Sequence, residues 1–266
     1  MTNLRPSSPK HLPFSAQEGP AGGNAGVIVF LHGFGGDRQT WVNLQTALAS
    51  KVQSLAFDLP GHGEALDWPV VGNAGIAAKA VLQSIEAMGL SKVNLVGHSM
   101  GGAVAALIAL RAPEKVGSLT LLAPGGFGPE INQKLLRRYA AATDPSEMEM
   151  LLEQFFGWEF KLPKFLAKTT AEARSRPGAV ATLEAIAEEI IDGDVQKTLP
   201  RKELAELPLP VKVIWGTQDR VLPTRQAHKL PGVVATHIFE RVGHMPHLEI
   251  PQEVTRLIRQ NIGLPS

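Results

Sequence analysis

The chain reads as an α/β protein: a doubly wound, mostly parallel sheet carrying an inserted helical cap. Three observations point there. Short continuous apolar runs, such as Val27-Ile28-Val29-Phe30-Leu31, alternate with segments of helical periodicity, as strands buried on both faces alternate with the helices that cover them. Several of those runs end in glycine-rich turns. One long stretch, residues 125–207, breaks the alternation with helical pattern alone.

Taken in order, residues 1–26 are rich in Pro, Ser and Gly and read as a loosely ordered lead-in, with an edge strand near 12–16. The strand at 27–31 runs into the turn His32-Gly33-Phe34-Gly35-Gly36, then a helix over 40–49. A second buried strand at 52–57 is closed by Asp58-Leu59-Pro60-Gly61-His62-Gly63, and a helix over 74–88 is stopped by Gly89. The run Val93-Asn94-Leu95-Val96 is a strand, followed by a helix to about Arg111 and a strand at 119–122. Helices are expected at 130–142, 146–156, 161–175 and 177–191, with no buried strand among them. The βα alternation resumes with strands at 211–215 and 235–239 and helices at 223–229 and 251–261. Right-handed crossovers would place helices on both sheet faces. The expected organisation is a core of residues 1–124 and 208–266, with residues 125–207 as a helical cap insertion.

Composition narrows the function. At 266 residues the chain can bury a full core, and its net charge of +1 with 19% charged residues offers nothing to nucleic acid. The absence of cysteine excludes disulfides and thiolate chemistry. No apolar run is long enough for a secretory signal or a membrane span, so a cytoplasmic protein acting on a small molecule is expected, as a monomer or small homo-oligomer.

The chemistry centres on Gly97-His98-Ser99-Met100-Gly101. A G-x-S-x-G pentapeptide alone is weak, but here it lies between a strand and a run of small residues that opens a helix. Such a turn forces a sharp backbone on Ser99 and lifts its hydroxyl into a pocket, while Gly97 and Gly101 let strand and helix approach. Serine needs a base, a group to orient that base, and donors for an oxyanion. His244, after the last strand, is the candidate base. Asp219, just past the preceding strand, is the candidate orienter, and the order Ser, Asp, His matches one known triad arrangement. The oxyanion donors would be the backbone N–H groups of Met100 and Phe34. The residue set calls for no metal and no cofactor. His32 and His98 lack the spacing of a ligand pair, and no G-x-x-x-x-G-K-[ST] follows Gly33. His247, beside Pro246, reads as structural, and Asp58 with His62 as a brace of its own loop. Arg137-Arg138 reads as a solvated helix face, with a carboxylate clamp as the alternative. Of the aromatic residues at 155–160, most are expected in the core. Phe127, Phe155, Trp158, Val221 and Met245 are the candidate pocket residues.

Together these motifs resemble the α/β-hydrolase fold superfamily over residues 26–262. Residues 97–102 and the stretch LLAPGGFGPEIN at 121–132 are similar to the hydrolase-like domain of acetoin dehydrogenase acyltransferase components. Those proteins carry a lipoyl domain ahead of this fold. Residues 1–26 are too short for one, so a free-standing hydrolase is expected. The absence of a carboxylate at Ala123-Pro124-Gly125, where some members place the acid, favours Asp219. The resemblance implies a serine hydrolase cleaving a small, largely apolar carboxylic ester or related acyl substrate through a Ser99 acyl-enzyme. The alternatives are a carbon–carbon bond hydrolase of a diketone-like substrate, whose members often have Asn where His98 stands, and an acyltransferase-like protein or non-catalytic ligand receptor.

Overall fold

A computed structural model of the chain describes residues 11–20, 26–228 and 230–265. The expected lead-in therefore lies largely outside the described residues. Its edge strand falls within them, as β1 (Phe14–Gln17), and pairs antiparallel with β3 (Ser54–Phe57). Between them come β2 (Val27–Leu31) and α1 (Val42–Leu48). After β3 follow α2 (Ala74–Ala87), β4 (Val93–His98), α3 (Met100–Arg111) and β5 (Val116–Leu122). The helical stretch contains α4 (Gln133–Ala141), α5 (Pro145–Leu152), α6 (Lys164–Arg174) and α7 (Ala179–Ile190), then two-residue strands β6 (Ile191–Asp192) and β7 (Val195–Gln196) and the single-turn α8 (Arg201–Leu204). The chain closes with β8 (Val211–Gly216), β9 (Ala235–Phe239), α9 (Pro246–Glu249) and α10 (Pro251–Asn261).

The main sheet has seven strands in the order β1-β3-β2-β4-β5-β8-β9, parallel throughout except at β1. Its apolar runs alternate between two cores because successive side chains leave opposite faces of a strand. Ile28, Phe30, Val96 and Ile214 meet α1 and α10 on one face, around Trp41, Leu44, Leu257 and Ile258. Val29, Leu31, Leu95 and Val213 meet α2, α3 and the helical stretch on the other. Burial of each large apolar side chain in these layers contributes about 1.5–3 kcal/mol.

Three elements depart from the sequence expectation. The helix expected at 40–49 begins with a 3-10 turn, Arg38–Trp41, capped by Asp37, whose side chain accepts from the Gln39 N–H. The helix expected at 223–229 is a single 3-10 turn, Thr224–Ala227; Pro223 and His228 flank it with extended backbone, and Pro231 prevents extension. Lys229 lies outside the described residues. The block at 125–207 contains the β6–β7 pair, turned at Gly193, where only helices were expected.

The contact between α3 and the sheet leaves no space for a side chain. A Cβ on Gly101 would fall on the carbonyl oxygens of Leu31 and His32, and one on Gly97 would fall on the Gly101 carbonyl. Gly101→Ala should therefore cost at least about 3 kcal/mol of stability in urea unfolding. Gly232→Ala, where nothing lies within 4 Å of the added atom, should change it by less than about 0.5 kcal/mol.

Candidate active site

Ser99 stands at the turn from β4 to α3 with φ 52° and ψ −117°, a conformation that L-residues adopt only under constraint. The constraint is visible. Its N–H donates to Leu122 O at 3.0 Å, and its carbonyl accepts from Ala103 N at 3.1 Å and Gly125 N at 2.9 Å. The backbone is thereby fixed at the carboxyl edge of the two central strands, the usual ligand-binding edge of an open parallel sheet.

The loops after β8 and β9 bring Asp219 and His244 together, with Nδ1 of His244 2.7 Å from Oδ2 of Asp219. Both side chains are buried, at 0% and 1% exposure. Asp219 is saturated with donors. Oδ2 also accepts from the Trp215 indole N–H at 2.9 Å, and Oδ1 accepts the Val221 and Leu222 amides at 2.8 and 2.9 Å. Because the carboxylate only accepts, Nδ1 of His244 carries the proton and Nε2 is left as an acceptor. The His244 loop is held from three sides. Its own N–H donates to Phe155 O at 2.7 Å, and its carbonyl accepts from His98 Nε2 at 2.8 Å. Glu249 collects the Gly243, Met245 and Gly157 amides at 2.8–3.1 Å. Burial pushes the Glu249 carboxyl up, against the lowering effect of those amides.

The turn after β2 is built with similar redundancy. His32 Nε2 accepts the Leu59 amide at 3.0 Å, so its Nδ1 carries the proton and donates to Gly33 O at 2.8 Å. Gly36 N–H reaches the same oxygen at 3.2 Å. That carbonyl belongs to the Gly33–Phe34 peptide. With its oxygen held, the Phe34 N–H must point the other way, since the peptide is planar and trans. Gly35 is pinned at both ends. Its N–H donates to His62 Nε2 at 3.1 Å, and its carbonyl accepts from Tyr139 OH at 3.3 Å and Arg174 Nη2 at 3.4 Å. Among the described residues, no hydrogen bond takes up the N–H of Phe34 or of Met100.

Two cavities meet at Ser99. The larger, about 290 Å³, is lined by Ser99, Met100, Ala103, Leu107, Ile131, Leu136 and neighbours, and opens past Asn73, Glu189 and Lys197. The smaller, about 50 Å³, is lined by Ser99, His32, His98, Tyr139, Phe155 and His244 among others. Phe34 borders both. Of the sequence-based pocket candidates, Val221 lies on the larger cavity and Phe155 and Met245 on the smaller. Phe127 lines neither cavity: it is buried edge-on against Trp215, 6.1 Å between ring centres. Trp158 lines neither and is 73% exposed. Phe156 and Phe160 stack on one another at 4.5 Å. Arg137 and Arg138 pair with Glu188 and Glu147 on the surface.

His247 is buried against Trp41 and His98, its Nε2 3.0 Å from Thr40 Oγ1. Asp58 and His62 brace their own loop as expected: Asp58 accepts the Glu64 amide and His62 Nδ1 donates to Pro60 O at 3.1 Å. Both also reach the loop after β2, Asp58 through the Arg38 amide and guanidinium and His62 through the Gly35 amide. Glu249, Tyr139 and Arg174 were not singled out in the sequence. The only signal for Glu249 is a carboxylate one helical turn beyond Met245. Tyr139 and Arg174 belong to ordinary amphipathic helices.

Residues 28–257 match the model of the alpha/beta hydrolase family. The chain belongs to that family. It is 32% identical over 236 residues to the dihydrolipoyllysine-residue acetyltransferase component of the acetoin cleaving system of Pseudomonas putida, covering 88% of this chain and 63% of that protein. The counterpart from Cupriavidus necator is 30% identical, covering 91% and 65%. The chain thus spans just under two thirds of the length of these relatives. A monoacylglycerol lipase of Bos taurus is 27% identical, covering 89% and 75%. In fold, the chain is similar to a meta-cleavage product hydrolase from Pseudomonas fluorescens, with a TM-score of 0.80 at 20% identity over 93% and 92% of the two chains. No described helix is long and apolar enough to cross a membrane.

The buried histidines couple this family architecture to pH. Burial, reinforced by His244, lowers His247 from 6.5 to about 3. Between those values the unfolded chain binds the proton and the folded chain does not. Stability present above about pH 6.5 is therefore lost as pH falls, at up to about 1.4 kcal/mol per pH unit for this residue. Burial lowers His32, His62 and His98 in the same direction. Urea unfolding at about pH 7 and about pH 5.5 should differ by at least about 1 kcal/mol, the acidic sample being weaker. His247→Gln should flatten the slope.

Proposed function

We propose that this protein is a serine hydrolase that cleaves a carboxylic ester with an apolar acyl part through an acyl-enzyme on Ser99. The observation that carries this reading is that His244, paired with the buried Asp219, lines the same small chamber as Ser99, while the unused amides of Phe34 and Met100 belong to residues on the cavities that meet at Ser99. In this reading His244 Nε2 takes the Ser99 proton as Oγ attacks the acyl carbon. The oxyanion is met by the Phe34 and Met100 amides, the latter at the positive end of α3. His244 then gives the proton to the leaving alkoxide, and Asp219 balances the imidazolium that forms in between. Water repeats the sequence on the acyl-enzyme and releases the acid.

Residues 125–207 serve as the cap over this core. Gly125, Gly126, Ile131, Leu136, Ile190 and Leu199 on the larger cavity come from that block, and their apolar character supports an apolar acyl group. The acetoin-cleaving relatives are named as acetyltransferases, which supports acyl transfer to a non-water acceptor as an outcome to be tested.

An alkyl fluorophosphonate should label Ser99 in the folded protein, and Ser99→Ala should abolish labelling. The same variant should lower kcat for methyl octanoate by at least about 10⁴-fold with the melting temperature retained. Turnover near wild type in Ser99→Ala would overturn the proposal. Turnover of a vinylogous 1,5-diketone in preference to every ester would replace it with carbon–carbon bond hydrolysis.

A further inference from the structure

The two cavities at Ser99 are unequal in size and in what each presents to the reacting atoms. Met100 borders only the larger, and His244 borders only the smaller. From this asymmetry we infer the orientation of the substrate: the acyl chain occupies the larger cavity and the departing alcohol occupies the smaller. The preferred substrates are esters of long apolar acids with very short primary alcohols. This rests on the hydrolase reading above.

The chemistry fixes the orientation. When the tetrahedral intermediate collapses, the bond from the acyl carbon to the alkoxy oxygen breaks. That oxygen takes the proton His244 received from Ser99, and it leaves as the neutral alcohol. A proton donor must sit within hydrogen-bond reach of its acceptor. The alkoxy oxygen and the carbon attached to it therefore lie on the His244 side of Ser99. The oxyanion faces the Phe34 and Met100 amides. The remaining substituent, the acyl chain, is left with the larger cavity.

Volume then sets the selectivity. The chamber on the His244 side, about 50 Å³, is several times smaller than the cavity of about 290 Å³, so it takes a short alkoxy group where the larger one takes a chain. The smaller chamber has little room to grow. His32, Tyr139, Leu152, Phe155 and His244 on its wall are all buried. Tyr139 is held by its bond to Gly35 O, and the Phe155 carbonyl by the His244 amide. The larger cavity is different, since Glu189 and Lys197 at its mouth are exposed and a long chain can extend past them.

The test is a two-way series of esters followed by titration of released acid. In one arm the alcohol is methanol and the acid runs from acetate to decanoate. In the other the acid is octanoate and the alcohol runs through methanol, ethanol, butanol and hexanol, with 1-octanoylglycerol added as a six-atom leaving group. Along the acyl arm kcat/KM should rise about fourfold per methylene, the equivalent of burying one CH₂, to a plateau near eight to ten carbons. Along the alcohol arm it should fall at least tenfold from methyl to butyl, and 1-octanoylglycerol should be poorer than methyl octanoate. Met245→Ala and Phe155→Ala should raise the butyl-to-methyl ratio. Leu107→Trp should lower the octanoate-to-acetate ratio and leave alcohol preference alone. Should Phe155→Ala fail to fold, Met245→Ala, at a partly exposed side chain, carries the same test. Equal rates for methyl and butyl octanoate, or hexyl acetate outrunning methyl octanoate, would overturn the orientation while fluorophosphonate labelling of Ser99 leaves the hydrolase reading standing. No labelling and no turnover of any ester would overturn both.

Discussion

The helix that follows Ser99 lies directly on the carbonyl oxygens of the neighbouring strand, with no side chain between them. Gly101 meets the Leu31 and His32 carbonyls, and Gly97 meets Gly101. This close approach determines much else. It compels the left-handed backbone at Ser99, aims the first amide of α3 at the sheet edge, and sets the distance from Ser99 to the turn carrying Phe34. The cost of the strained residue is offset by three backbone hydrogen bonds on Ser99 and by the apolar layers on both faces of the sheet. A larger residue at either glycine would shift all these positions together, because interiors are too dense to absorb the change locally.

The helical stretch after β5 is tied into the same geometry. Its Phe155 carbonyl holds the His244 amide, its Gly157 amide shares Glu249 with Gly243 and Met245, and its Tyr139 and Arg174 hold Gly35. Arg220 returns the contact by donating to the carbonyls of Glu153 and Phe156. The loops carrying His244 and Phe34 are therefore oriented partly by residues far away in sequence. In the proposed enzyme, changes in this stretch would alter turnover as well as substrate range.

The main strands and most helices could be read from the sequence because burial on both sheet faces leaves continuous apolar runs, and residues 251–261 have strong amphipathic periodicity. Ser99, Asp219 and His244 could be singled out because each follows a strand end in a turn that contains glycine. The helix expected at 223–229 failed because its periodicity was local and two prolines limit it. Trp158 and Phe127, expected on the pocket, lie off it, since neither the bulk nor the spacing of an aromatic residue says whether it meets solvent, core or cavity. Glu249 bonds Gly157 across 92 residues and Arg174 bonds Gly35 across 139. Such pairings come from the assembled tertiary structure and leave no periodic trace. The division of the space around Ser99 into two chambers is hidden in sequence for the same reason.

The indole of Trp215 is fully buried and donates its N–H to the same Asp219 oxygen that faces His244. This makes an intrinsic fluorophore part of the hydrogen-bond network at the site. A change in the charge or position of the Asp219–His244 pair alters the field along that indole, and so its emission. The chain has four tryptophans, and Trp41, the other fully buried one, sits against His247 on the far side of the histidine cluster. A protein in which Trp215 is the sole tryptophan would thus carry its own optical gauge, one that would follow the proposed acylation and deacylation without a coloured substrate.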